Sequence, residues 1–279
     1  VFPTTEAEIL IAEQRYPQFP YEIDKAIPEV VHRYFAAALG FIAILLVAFS
    51  YKHKLPTRIK AIASFLLFFI CCQGLFGYLT VSLKLLPIIV TGHLFGGFIT
   101  LSLFFYLFLS ASDGIKNHQI GHLKTLGGIA LFALLIQIFL GAWTSTNYAS
   151  LACVDFPTCQ GTYIPEMNFS DGFNLSQEVG PNYLHGLLDN EARVAIHYSH
   201  RVSALILTLI FMVLITKLWF SNAAPLASTL GVILGTQISL GIMNVVYVLP
   251  LYIAIAHNLV AALLLLATLM VNLVIWKDE

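Results

Sequence analysis

Of the 279 residues, 58% are hydrophobic and only 10% charged, and the mean hydropathy is +0.84. A water-soluble domain of this length cannot carry so much apolar surface, so the sequence describes an integral membrane protein. The net charge of -1 favours no partner, and no basic patch offers a surface for nucleic acid.

About 20 consecutive apolar residues cross a bilayer as a helix, and seven stretches qualify: 29–51, 59–81, 85–110, 123–146, 191–218, 225–248 and 251–276. The alternating segments of a closed barrel are missing. The expected fold is therefore all-α, a bundle of seven transmembrane helices. Residues 1–28 form an extracytoplasmic segment bearing Glu6, Glu8, Glu13, Glu22 and Asp24. The sequence starts at Val1 without a signal peptide, so an earlier transmembrane helix is expected to carry this acidic segment across.

The first helix opens on Glu29-x-x-His32-Arg33 and ends in a basic loop with Lys52, Lys54, Arg58 and Lys60. The second holds Cys71 and Cys72, read as small packing residues, and then Gln73-x-x-x-Gly77. After Leu86-Pro87 the third carries Gly92-His93-Leu94-Phe95-Gly96-Gly97, followed by a loop with Lys116 and Lys124. Short Lys- and Arg-bearing loops stay in the cytoplasm, which puts the N-terminus outside and the C-terminus inside. His53, His118 and His122 fall in those inner loops and need no special role. The fourth helix, with Gln137-x-x-x-Gly141, runs into an outer loop, 147–190, rich in Gly, Asn, Pro and acids and expected to cap the outer face. There Cys153 and Cys159 meet an oxidising compartment that favours a disulfide. Their spacing is longer than the two to four residues usual between zinc cysteines. His185 is in the same loop and reads as solvated. The fifth helix carries His197 and His200-Arg201, the sixth Gln237-x-x-x-Gly241, and the seventh, after Leu249-Pro250, carries His257.

These features repeat. His32-Arg33 matches His200-Arg201, Gln73-x-x-x-Gly77 matches Gln237-x-x-x-Gly241, Leu86-Pro87 matches Leu249-Pro250, and 20 residues separate Gln73 from His93 and Gln237 from His257. Equal spacing across helix, turn and helix is the mark of an internal repeat. It divides the chain into an N-terminal half-bundle, 29–122, and a C-terminal one, 123–279. With the fourth helix lacking a counterpart, the pattern implies an ancestral four-plus-four bundle of pseudo-two-fold symmetry, seen here as three-plus-four.

The four repeated histidines lie near the outer ends of helices that run in the same direction. An ionisable group in hydrocarbon is costly and calls for a functional reason. One reading is a hydrogen-bonded or interfacial histidine, common near helix ends. The other is a pair of neutral imidazoles in each half serving as axial ligands of a haem iron. The small residues beside His93, and Ala254 and Ala261 around His257, would admit a flat macrocycle or simply permit close helix packing. Glu29, on the face of His32, either complements the helix dipole or moves protons to and from a reactive site. His197 stands in its place in the second half, a difference that suggests one haem that reacts and one that transfers electrons. Arg33 and Arg201 either snorkel to lipid phosphate or bind haem propionates.

Glu29-x-x-His32-Arg33, the repeated histidines, and Gly141-Ala142-Trp143-Thr144 leading into Cys153-x-Asp155-Phe156-Pro157-x-Cys159 together resemble haem A synthase, over essentially the whole chain. The resemblance implies an eight-helix fold of which the first helix is missing here. It implies oxidation of the C8 methyl of a haem O substrate to a formyl group by successive hydroxylations, with haem b as cofactor. By the same resemblance His32 and His93 hold the substrate, Glu29 is the essential acid, and His200 and His257 are the axial ligands of haem b. A haem O synthase and an electron donor are the implied partners, in the plasma membrane of a bacterium. The rival reading from the residues alone is a bis-histidine b-type cytochrome that only transfers electrons.

Overall fold

A computed structural model describes residue 3 and residues 5–15, 23–111 and 120–276. Glu22, Lys116 and His118 lie outside the described residues. Among those described, every regular element is helical apart from a single bridge between Cys159 and Thr162. Seven helices are long and apolar enough to cross a membrane.

The chain forms two compact units, Val1–Cys71 and Cys72–Glu279, which divide inside one long helix. The first holds α1 (Glu6–Arg15), α2 (Ile23–Lys52) and the start of α3 (Thr57–Ser82). Within the segment read from sequence as an extracytoplasmic stretch, α1 is a helix that the hydropathy argument passed over. A capping box starts it: Glu8 N donates to Thr5 Oγ1 at 3.3 Å while Glu8 Oε2 accepts from Thr5 N at 3.2 Å. That reciprocal pair satisfies two otherwise orphaned donors.

The second unit holds the rest of α3, α4 (Pro87–Ala111), α5 (Lys124–Thr146), the short α6 (Phe169–Gly172), α7 (Asn190–Phe220), α8 (Ala224–Val246) and α9 (Leu251–Trp276). Helices α5, α7, α8 and α9 pack as a bundle whose core, remote from the loop 147–189, is apolar: Leu134, Phe211, Leu214, Leu218, Leu230, Leu264 and Ile275 are all buried there. Two smaller clusters sit at the loop end, one around Trp143 and Ile196, the other around the disulfide Cys153–Cys159 and Val194. The predicted pairing of the outer-loop cysteines is therefore present.

The repeat is written in the backbone as well as the residues. The turn after α3 places Lys84 and Leu85 at φ 51° and 64°, and the turn after α8 places Val248 and Leu249 at φ 59° and 57°, 164 residues later. The hydrogen bonds follow the same offset, Leu85 N to Thr80 O at 2.8 Å and Leu249 N to Asn244 O at 2.7 Å. This corrects the alignment by one residue at the prolines, since Leu86 corresponds to Pro250 and Pro87 to Leu251. Proline is accepted both at the first helical position and just before it, so it marks the turn without fixing its register. The end of α5 repeats the turn a third time, with Tyr148 at φ 53° and Ala149 N bonded to Thr144 O.

Candidate functional site

Gln73, Gln137 and Gln237 each stand nine residues before the end of their helix, at Ser82, Thr146 and Val246, and a glycine follows four residues on. Residues four apart share a helix face. Each glycine supports an imidazole from the next spanning helix. A Cβ at Gly77 would stand 3.3 Å from Cε1 of His93, one at Gly141 3.1 Å from Cε1 of His200, and one at Gly241 3.1 Å from Cε1 of His257. No side chain fits there without displacing the ring. The residues that admit the histidines are thus on the facing helices, and the sequence reading had them in hand only as markers of the repeat.

The glycines beside His93 have other work. A side chain at Gly92 would meet Phe76, and the Gln73 amide fills the space that one at Gly96 would need. For these two positions the packing alternative is the one the structure displays.

In the bundle, Gln137 Nε2 lies 3.1 Å from Nδ1 of His200 and donates to the His200 carbonyl at 3.1 Å. Gln237 Nε2 lies 3.2 Å from Nε2 of His257. The carbonyl oxygens of Gln137 and Gln237 and Nδ1 of His257 are buried and have no hydrogen-bond partner. Each such atom costs about 1–3 kcal/mol, so the site holds unmet polar capacity where helices α5, α7, α8 and α9 converge.

His197, one turn before His200, and Arg201, the residue after it, face the disulfide loop. Arg201 donates to the carbonyls of Cys153 at 2.8 Å and of Asp155 and Thr158 at 2.9 Å. The backbone N–H of Cys153 and Nε of Arg201 approach the two ring nitrogens of His197 at 3.4 and 3.3 Å. A neutral imidazole accepts at one nitrogen only, so its tautomer selects between them. The Asp155 carboxylate accepts from the N–H groups of Gln160 and Gly161 at 2.7 and 3.0 Å. With a hydrogen bond from Thr158 first among the causes, these bonds hold its carboxyl down to about 2. Trp143, two residues past Gly141, donates to Gly172 O at 2.8 Å. Tyr183 N bonds Lys84 O, and Lys84 Nζ bonds Gly180 O, so the loop is pinned to α5, α7 and the α3–α4 turn.

In the first unit, Glu29 and Arg33 form an ion pair one turn apart on α2. Glutamate on the N-terminal side is the favourable order, and an exposed pair of this kind is worth only about 0.3–0.5 kcal/mol. The carboxylate is therefore easily released. His32 is exposed on the same helix.

Seven helices fit to cross a membrane, with an imidazole seated on a glycine of the preceding spanning helix at three places, define an all-α integral membrane protein with buried polar sites between its helices. The sequence matches the profile of the family described as cytochrome oxidase assembly protein over residues 1–269. It is 38% identical to the haem A synthase of Shewanella oneidensis, across 99% of this chain and 84% of that protein. The haem A synthases of Rickettsia felis and of the Brugia malayi Wolbachia are 28% and 29% identical, over 89% and 85% of this chain and 72% and 69% of theirs. The chain belongs to the family of cytochrome oxidase assembly proteins that contains these haem A synthases.

Proposed function

We propose that the chain is a membrane oxidoreductase that converts the C8 methyl of haem O to the formyl group of haem A by successive hydroxylations, through an alcohol. The observation that carries this reading is the pair of imidazoles, His200 and His257, each seated on a glycine where α5, α7, α8 and α9 meet. Membership of a family that contains haem A synthases supports it.

The residues fit a bound haem b. Two imidazoles leave a metal four positions short, and a macrocycle supplies four in one plane. The glycines leave the rings free of side-chain crowding, and the orphaned oxygens of Gln137 and Gln237 wait for a donor. When bound, haem b supplies one-electron transfer, for which two fixed protein ligands are suited. His200 and His257 orient and hold it, and the loop pinned by Arg201 screens that end of the bundle from water.

His32 and His93 are assigned to the substrate haem O. His93 rests on Gly77 as His200 and His257 rest on their glycines. Glu29 is the proton-handling carboxylate, since its pairing with Arg33 is weak enough to break during turnover. The N-terminus lies outside and the C-terminus in the cytoplasm, because the loop with Lys52, Lys54 and Arg58 stays inside. A haem O synthase and an electron donor in the same membrane complete the system.

The test is co-expression with a haem O source. Replacing His200 or His257 with Ala should abolish the b-type spectrum of the purified protein. Glu29→Ala should keep that spectrum and stop haem A formation. Haem extracts from the unaltered protein that contain neither haem A nor its alcohol precursor would leave an electron-transfer cytochrome and refute the enzyme.

A further inference from the structure

We infer that Gln137 and Gln237 are positioning residues for His200 and His257, each acting through its amide to select which ring nitrogen keeps its lone pair for iron. The inference rests on the reading that these imidazoles hold haem b. It goes beyond that reading by assigning a role to two residues that touch neither substrate nor iron.

An amide-to-imidazole contact recurs at both places, though not on the same ring nitrogen, and Gln137 Nε2 also lies 3.4 Å from Nε2 of His200. Gln137 Nε2 meets Nδ1 of His200 at 3.1 Å, and Gln237 Nε2 meets Nε2 of His257 at 3.2 Å. An amide nitrogen is only a donor, so in this arrangement it occupies an imidazole lone pair. The amide oxygen, meanwhile, is buried with no partner in both residues. A half turn about the last side-chain bond, which is broad and roughly two-fold, exchanges the two atoms. The oxygen then accepts the ring N–H, and the lone pair of the opposite ring nitrogen is left for a metal. At Gln137 the turn gives up the bond to the His200 carbonyl, which as a helix residue keeps its own backbone partner one turn on.

Both amides thus have a donor state that bonds one ring nitrogen and an acceptor state that fits the ring with iron. Metal-bound histidines habitually donate their other N–H to such an acceptor, which fixes the ring and raises its basicity. The recurrence favours this role over chance polarity. Each Gln lies one turn before the glycine on which the same imidazole rests, in two helices 100 residues apart. A glutamine needed only for packing would not require its amide on the ring in both.

The experiment is a redox titration of the purified, haem-loaded full chain carrying Gln237→Met, which keeps length and loses the acceptor, or Gln237→Glu, which strengthens it. The same pair is made at Gln137. Losing the acceptor weakens the ligand's preference for ferric iron, and a tenfold change in the ferric-to-ferrous affinity ratio is 59 mV for one electron. We expect Met to raise the midpoint by about that much and Glu to lower it. Loss of haem from Gln237→Met, with Gln237→Glu still loaded and both proteins monodisperse, also supports the role. Midpoints unchanged in both, shifts of the same sign in both, or loss of haem from both would overturn it. A wild-type protein with no bound haem, or a His257→Ala protein with an unaltered spectrum, would instead sink the haem reading itself.

Discussion

Gly241→Ala isolates what the glycine seat contributes. The new Cβ would stand 3.1 Å from Cε1 of His257 and 3.7 Å from Nδ1. Carbon atoms rest about 3.5–4.0 Å apart, so the ring must withdraw by roughly half an ångström or swing about its own side-chain bonds. Overpacking of this size costs about 1–3 kcal/mol. Exchanging glycine for alanine inside a helix returns about 1 kcal/mol, so the fold itself should change little. On the proposed haem reading, the displaced imidazole would no longer meet iron at its preferred position, and a loss of about 1.4 kcal/mol there would be tenfold in affinity. Gly235 on the same helix is the matched control, for a Cβ there meets nothing within 4 Å. Haem titration of the two purified variants, with thermal unfolding beside it, should give about tenfold weaker binding for Gly241→Ala at a stability loss of no more than about 2 kcal/mol, with Gly235→Ala binding like the parent and at least as stable. Equal haem affinity in the two variants would refute the steric argument.

Two further predictions concern the loop. Arg201→Met removes three bonds from a charged donor to backbone carbonyls, each worth about 1.5–3 kcal/mol before water replaces them. Chymotrypsin should then cut after Tyr163 at least ten times faster, and Arg201→Lys should restore little because an ammonium lacks the planar fork. Asp155 has its carboxyl held down from 3.8 to about 2. A depressed folded value stabilises the loop fully above the ordinary value and loses that contribution as pH falls through the folded one. Amide-exchange protection at Gln160 and Gly161 should accordingly hold from pH 7 to 5 and decline between about pH 4 and 2. In Asp155→Asn it should start lower and stay level across that range.

The spans were legible because a bilayer imposes length and apolarity on every crossing segment. The reading 251–276 coincides with α9, and 59–81 falls within a residue or two of α3. The Gln-to-His spacing was legible too, since it is a count along the chain. Proline misplaced the turns by one residue because two neighbouring positions tolerate it. The helix α1 was missed although its Thr5-Glu6-Ala7-Glu8 signature was in plain view, because apolar length was the criterion used. The partners of Arg201 were not legible at all. Every residue carries a carbonyl, and nothing in the order of Cys153, Asp155 and Thr158 says that their oxygens converge on one guanidinium 43 or more residues away. The roles of Gly77, Gly141 and Gly241 were half visible: periodicity found them, but only three-dimensional proximity shows what each faces.

Lipid offers helices no hydrophobic reason to associate, so close packing of small residues and interhelical hydrogen bonds must do that work. In this chain the Gln, Gly and His of the bundle supply both, the glycine by letting the ring approach and the glutamine by bonding it. A site that also glues helices would ordinarily be hard to alter without unfolding the protein. Here the remote half of the bundle is closed independently by Phe211, Leu214, Leu218, Leu230 and Leu264, which are buried well away from the imidazoles. Trp143 and the Arg201-bound loop close the other end. The polar layer lies between two packed ends, so losing a histidine or a glutamine removes one interhelical contact from a bundle that remains held on both sides. That arrangement is why substitutions at His200, His257, Gln137 and Gln237 are expected to yield folded protein, in which spectrum and midpoint potential report on the site alone.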